Sequence, residues 1–212
     1  MGNFKPVLKK MYLFFLKCFF RTIYETRETA CRITFKRFFF QKILGFNRKA
    51  YWPMHYTSKV SGVQNIFVGI GSAPGLSFGC YIQGGARIII GDYVLIAPNV
   101  GIIGANHELY DHRKHSSGGG VKIGDYSWIG MNAVILPNVS LGDFTIVAAG
   151  SVVTKSFPDG YCVIGGNPAR IINFLDKNKC VRYKNKYEYY GYYSKKQFEK
   201  KIRQKFCKEN VT

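Results

Sequence analysis

Histidine is the one side chain whose ordinary pKa lets it take or give a proton near pH 7, and this chain has four: His55, His107, His112 and His115. Three of them crowd into one polar stretch, HELYDHRKHSSGGG, residues 107–120. A neutral imidazole there could draw the proton from a hydroxyl as its oxygen attacks a carbonyl. That help is needed because a free hydroxyl is a weak nucleophile. No Ser or Cys sits in a recognisable nucleophile motif, so direct transfer is expected rather than a covalent intermediate. The cysteines, Cys18, Cys31, Cys80, Cys162, Cys180 and Cys207, lie far apart with no paired short spacing. Neither a zinc ribbon nor a dense disulfide framework is readable from them, and a reducing compartment is expected.

The histidine stretch interrupts a six-residue period. Large aliphatics open successive blocks at Ile90, Ile96 and Ile102, and again without a slip at Ile123, Ile129, Ile135, Leu141, Val147 and Val153. A weaker set at Ile70, Leu76, Ile82 and Ile88 keeps the spacing, then jumps by two to Ile90. The fifth residue of nearly every block is small or β-branched: Val94, Val100, Ser127, Ala133, Val139, Thr145, Ser151. A strict period of six drifts around a helix of 3.6 residues per turn, so an amphipathic helix is a poor reading. Short strands forming the sides of a triangular coil fit, with each aliphatic inward and each fifth residue beside it at a corner. Three six-residue blocks then make one coil, and Gly-Asp and Pro-Asn pairs fall where the chain must turn. Cys80 and Cys162 read as small buried residues of such coils. A loop thrown out of so regular a solenoid is a functional candidate, because the solenoid has no need of it.

The run VKIGDYSWIGMNAVILPNVSLGDFTIVAAGSVVTK and the closing VIGGNPARII resemble the hexapeptide-repeat acyltransferases, in particular the galactoside and maltose acetyltransferases and, more closely, the O-acetyltransferases of bacterial capsule and surface-polysaccharide synthesis. The resemblance covers roughly residues 60–175. It implies an all-β, left-handed parallel β-helix over 59–175, flanked by helical arms at 1–58 and 176–212. It also implies acetyl-CoA as donor, no metal, and a homotrimer with active sites between subunits. The offset from the IAPNV block transfers the family's catalytic histidine to His107 alone, as general base; His55, His112 and His115 read as solvated. Glu108 would orient the imidazole, which requires a bend at the loop entrance because neighbouring strand residues point to opposite faces. An exposed Glu without a role is the rival reading. Family contacts to coenzyme A carry over to Met131, Ala149, Thr154, Lys155 and Arg170, although Met131 stands where many relatives have a small polar residue. The galactoside enzymes' acceptor Asn and Asp have no counterpart in SFGCYIQGGARI, leaving Tyr81, Gln83 and Asn106 as polar candidates. The implied acceptor is a sugar or glycan precursor, free or lipid-linked, with xenobiotic acceptors still open. The gamma-class carbonic anhydrase is a metal-dependent rival of the same fold, since His107 and His112 match its ligand gap. Its third histidine, counted two uniform coils upstream, falls on Gly71, so the zinc site is not completed.

Charge is divided along the chain. Residues 1–50 hold 12 basic and 2 acidic side chains, 60–172 hold 6 of each, and 173–212 hold 12 and 4. Nucleic-acid domains more often place the basic face on the folded core, so that partner is not expected. Lys155 and Arg170 are two of the few cations in the neutral middle, which suits a phosphate role. In the first arm MYLFFLKCFF is too short to span a bilayer, no small-residue cleavage site follows it, and Pro6 stands where myristoylation expects Ser or Thr. The arm reads as a basic, Phe-rich helical segment through about Phe46. It either caps its own domain or a neighbour, or lies in the headgroup region of an anionic membrane. In the last arm Phe198, Ile202 and Phe206 predict a short amphipathic helix with a basic opposite face, packed on the prism or a partner, with membrane contact as the rival reading. The protein is expected in the cytoplasm, with contact at the inner face of the membrane left open. A non-catalytic trimeric scaffold tethered by its arms is the alternative function.

Overall fold

Burying one aliphatic per six-residue block from three directions demands a chain that turns after every short strand, and the strands do so. The computed structural model describes residues 4–114, 116 and 118–201. One side of the prism stacks β1 (Lys59–Ser61), β3 (Tyr81–Gln83), β6 (Gly101–Ile103), β9 (Val134–Ile135) and β12 (Val152–Val153). A second stacks β2 (Ile66–Val68), β4 (Ile88–Ile90), β7 (Val121–Ile123) and β10 (Val139–Leu141). The third stacks β5 (Leu95–Ile96), β8 (Trp128–Ile129), β11 (Thr145–Val147) and β13 (Cys162–Gly166), closed by antiparallel β14 (Ala169–Phe174). From β4 to β12 the chain visits the sides in turn, and all pairings but the last are parallel, giving the left-handed β-helix of about five coils. Ile90, Ile102, Ile123, Ile129, Ile135 and Leu141 fill the axis at 0–1% exposure, with Val100, Ala133, Thr145 and Ser151 beside them at 0%.

The uniform coil of three blocks holds only in the later part, where Val121 pairs with Val139 and Val134 with Val152. Earlier, Lys59 pairs with Tyr81 and Tyr81 with Gly101, so those coils are longer than three blocks. The jump from Ile88 to Ile90 belongs to this irregular part: both are buried ends of β4, with Ile89 pointing out. Extra residues enter at corners, such as the short 3-10 turn Val63–Asn65, without disturbing the inward positions.

Corners require left-handed backbone. Asn99, Asn132 and Asn138 supply it at φ of 57°, 60° and 67°, which Asn tolerates. At the corner between the second and third sides the left-handed residues are aromatic instead: Tyr93, Tyr126, Phe144 and Tyr161, at φ between 46° and 57°. Their rings stack coil upon coil, with centroids 5.2, 5.0 and 5.2 Å apart, which offsets an unfavourable backbone for bulky residues. Beside them an aspartate ladder joins the coils: Asp92 accepts from Ile70 N–H, Asp125 from Asp92 N–H, and Asp143 from Asp125 N–H.

The first arm is not one helix. It forms α1 (Phe4–Phe19), α2 (Arg21–Thr26), α3 (Phe35–Phe38) and a π turn, Phe39–Ile43, with a non-helical stretch before Phe35. Its last part joins the prism, since Ala50, Trp52 and Met54 are buried in the same core and Gln41 donates to the Trp52 carbonyl. The core therefore starts before β1. The second arm runs back along the aromatic corner, where Arg182 reaches Asp143, Asp125 and Tyr161. It ends in the hairpin β15 (Tyr189–Tyr190) and β16 (Tyr193–Ser194) and in α4 (Lys195–Lys201). Phe198 is buried and stacks on Tyr190 against Tyr51 and Phe67, so α4 packs on its own chain as expected. Ile202 and Phe206 lie outside the described residues.

Candidate active site

The histidine loop leaves and returns through one narrow throat. Gly120 donates its N–H to the Gly104 carbonyl at 2.6 Å, so the excursion closes on the corner it left, between β6 and β7. Gly118, Gly119 and Gly120 make the return at φ of +81°, +113° and +100°, backbone that side chains with a Cβ resist. A Cβ on Gly119 would stand 2.7 Å from the Gly104 oxygen. Gln83, one coil above, clamps the exit: its Nε2 donates to the Ala105 carbonyl, and its Oε1 accepts from the Gly104 and Ala105 N–H groups at 3.1 and 3.0 Å. Asn138, one coil below, holds the return by accepting from Gly119 N–H at 2.9 Å and donating its own N–H to the Gly120 carbonyl at 2.7 Å.

Within the loop, Ser116 donates to the Asn106 carbonyl and Glu108 N–H donates to the Lys114 carbonyl. Asp111 ties the tip, taking two bonds from the Arg113 guanidinium that hold its carboxyl below the usual range. His107 and Asn106 are exposed and Glu108 is half-buried, while Leu109 and Tyr110 at the tip are 85% and 99% exposed. His112 is exposed; His115 lies outside the described residues. His55 sits in the arm, bonded to the Thr57 hydroxyl, and burial lowers its pKa.

The expected site residues fall on two edges of the first side. His107, Thr154 and Lys155 share the edge leading to the second side. Its levels are bonded in sequence, because the Ser156 hydroxyl donates to the Asn138 carbonyl and accepts from Ser140 N–H. Lys155 Nζ stands 5.7 Å from the Phe157 ring. Met131 and Ala149 stack one coil apart on the opposite edge, joined by the Gly150 N–H bond to the Met131 carbonyl. Arg170 pairs with Gly165 at the same end of the third side. The chain from Ala149 to Lys155 runs the whole width of the side, about 20 Å when extended, so one chain does not bring the two sets together. Tyr81 is 47% exposed on the wall between them. Gly71 belongs to a different corner, against the Tyr93 ring. The coils above the loop are longer than three blocks, so two coils up the first side from Gly101 stands Lys59, and a count by uniform coils lands on the wrong face. No group of three or more metal-ligating side chains forms among the described residues.

The bacterial transferase hexapeptide (six repeats) family matches residues 120–155. Galactoside O-acetyltransferase of Escherichia coli (strain K12) is 38% identical over 103 residues, which is 46% of this chain and 50% of that protein. A solved galactoside acetyltransferase in complex with coenzyme A is 30% identical, with a TM-score of 0.54 over 65% of this chain and 68% of that one. The chain belongs to the hexapeptide-repeat transferases. A maltose O-acetyltransferase from Clostridium difficile 630 superimposes with a TM-score of 0.55 at 27% identity, covering 82% of this chain and 90% of its own. The chain spans about half the length of the curated relatives it matches.

Two residues of this hexapeptide-repeat protein carry structural work that sequence reasoning does not assign. Gln83 uses its amide to hold the loop exit rather than leaving it open to a ligand, and Asn138 tethers the return. Asn138 has a signal in the chain: it is the Asn of a Pro-Asn pair directly below the interruption.

Proposed function

We propose that this hexapeptide-repeat protein is a cytoplasmic O-acetyltransferase that moves an acetyl group from acetyl-CoA to a hydroxyl of a sugar or glycan precursor. The acceptor class we assign is a capsule or surface-polysaccharide precursor, free or lipid-linked. The observation that carries the reading is the shared edge: a loop bearing His107 is tied through Asn138 to the coil of Thr154, Lys155 and Ser156. In this mechanism His107 takes the acceptor's proton while its oxygen forms the C–O bond at the thioester carbon. The C–S bond breaks, and the imidazolium returns the proton to the leaving thiolate. Glu108 orients the imidazole, and backbone N–H groups of the coil meet the developing oxyanion.

Lys155 and Arg170 would hold the phosphates of the donor, with Met131, Ala149 and Thr154 lining its length. Tyr81 and Asn106 are the acceptor contacts we retain, and Gln83 acts by positioning the loop. The separation of the two edges supports a homotrimer, in which one chain's histidine edge faces its neighbour's Met131 and Ala149 edge. No metal and no nucleic acid enters the proposal.

Calorimetric titration of acetyl-CoA into the full chain tests it without knowledge of the acceptor. Binding of roughly micromolar strength at about one site per chain is expected, weakened about tenfold by Lys155→Ala with turnover at saturation unchanged. No binding by folded, trimeric protein would return the non-catalytic scaffold reading.

A further inference from the structure

A run of exposed apolar side chains lies on α1, far in character from the neutral prism. At 3.6 residues per turn, Val7, Leu8, Met11, Tyr12, Phe15 and Phe19, with Phe14 at the margin, fall within an arc of about 160°. Each of these seven is between 46% and 72% exposed. The helix touches the rest of the chain on its other flank, through Leu16 at 2% exposure. Its apolar face is therefore turned away from the protein, the reverse of a helix that caps its own core. Lys9, Lys10 and Lys17 lie on the opposite arc, and no acidic residue occurs anywhere in α1.

The surface continues past the helix. Phe15 meets Phe20 with ring centroids 5.7 Å apart, and Phe20 meets Phe35 edge-on at 4.7 Å. Phe38, Phe39 and Ile43 extend it at 43–60% exposure. Adjoining it is a hollow of about 560 Å³, lined by Phe20, Phe35 and Phe38 together with Arg21, Lys42 and Arg48.

We propose that α1 and this aromatic lip form a docking face for an anionic membrane surface, with the apolar arc of α1 sunk among the acyl chains and its lysines at the headgroups. Charge chooses the occupant. A second copy of the chain would bring the same arm, with 12 basic residues against 2 acidic, and like charges would meet. A bilayer containing anionic lipid answers both features at once, offering negative headgroups to the lysines and an apolar layer to the phenylalanines. A spanning helix is not the alternative, since no helix among the described residues is long and apolar enough to cross. For a cytoplasmic protein the surface is the inner leaflet, and the docking does not depend on the acetyl-transfer reading.

The test is sedimentation of the full chain with vesicles of phosphatidylcholine alone or with about one third phosphatidylglycerol, at about 50 mM and about 500 mM salt. Binding to the anionic vesicles at low salt is expected, falling at high salt. Phe14→Ser with Phe19→Ser, and separately Lys9→Glu with Lys10→Glu and Lys17→Glu, should each lower it at least tenfold. Both variants should keep the parent's oligomeric state and thermal midpoint, because these side chains are exposed and outside the buried core. Vesicle binding equal to the parent's in both variants would overturn the proposal by moving the contact to another surface. A parent that ignores anionic vesicles, or variants that change oligomeric state, would overturn it in favour of a protein neighbour on α1. Binding without acetyl-CoA affinity would leave the docking face standing and remove the enzyme reading; the converse would do the opposite.

Discussion

His107 makes the sharpest demand on the proposed chemistry, because it is exposed on a loop and supports no part of the core. His107→Ala should lower turnover by about 10²–10⁴-fold, the usual worth of a positioned general base. Its circular dichroism and thermal midpoint should match the parent's. Near-parental turnover on any acceptor would remove the base from that residue. The contrast with the other histidines is partly legible in the chain. Their clustering in one interruption is visible in the letters, whereas singling out His107 needs the likeness to galactoside acetyltransferases. The acceptor contacts are least legible. Gln83 and Tyr81 stand on one short strand as polar residues, and only the three-dimensional position of the loop exit tells that one of them is already engaged.

At the scale of elements, the loop is held by its throat rather than by its tip. Gln83→Leu keeps the volume but abolishes three hydrogen bonds to Gly104 and Ala105; the Gly104 N–H keeps its bond to the Gln83 carbonyl, while the Ala105 N–H and carbonyl must find other partners. The expected result is faster tryptic cleavage at Arg113 and Lys114 together with lower turnover. A Gln83 that instead met the acceptor would give a raised acceptor KM with unchanged cleavage, which separates a positioning role from a binding one. The sequence reads the prism well from Ile123 to Val153, because each coil there is three even blocks and every inward position repeats. It reads the earlier coils poorly. Extra residues at a corner leave the buried Ile82, Ile88 and Ile90 in place while shifting the count, and that shift also misplaces the two-coil offset to Gly71. The first arm reads as continuous because the stretch between Thr26 and Phe35 holds no Gly or Pro to signal a break, and its chain path is set by contacts such as the Thr26 hydroxyl accepting from Ile33 N–H.

For the whole molecule, the question is whether one chain suffices. His107 and Lys155 lie on one edge of the first side and Met131 and Ala149 on the other, and the coil between them is rigid and filled with isoleucine. No side-chain movement closes such a gap, so in the proposed trimer each site combines the histidine edge of one subunit with the Ala149 edge of the next. Ala149 is exposed at a corner, and Ala149→Trp should block the groove without disturbing the interior. Homotrimers of His107→Ala and of Ala149→Trp should each be nearly inactive, for opposite reasons. Mixed trimers formed by co-expression place an intact histidine edge against an intact Ala149 edge at about one site in four, by random assortment in a cyclic assembly. Activity should therefore recover to about a quarter of the parent's in the mixture. If both edges instead served a site within one chain, every chain in the mixture would carry a defect and nothing would recover. The outcome thus decides whether the unit of catalysis is the prism or the contact between prisms.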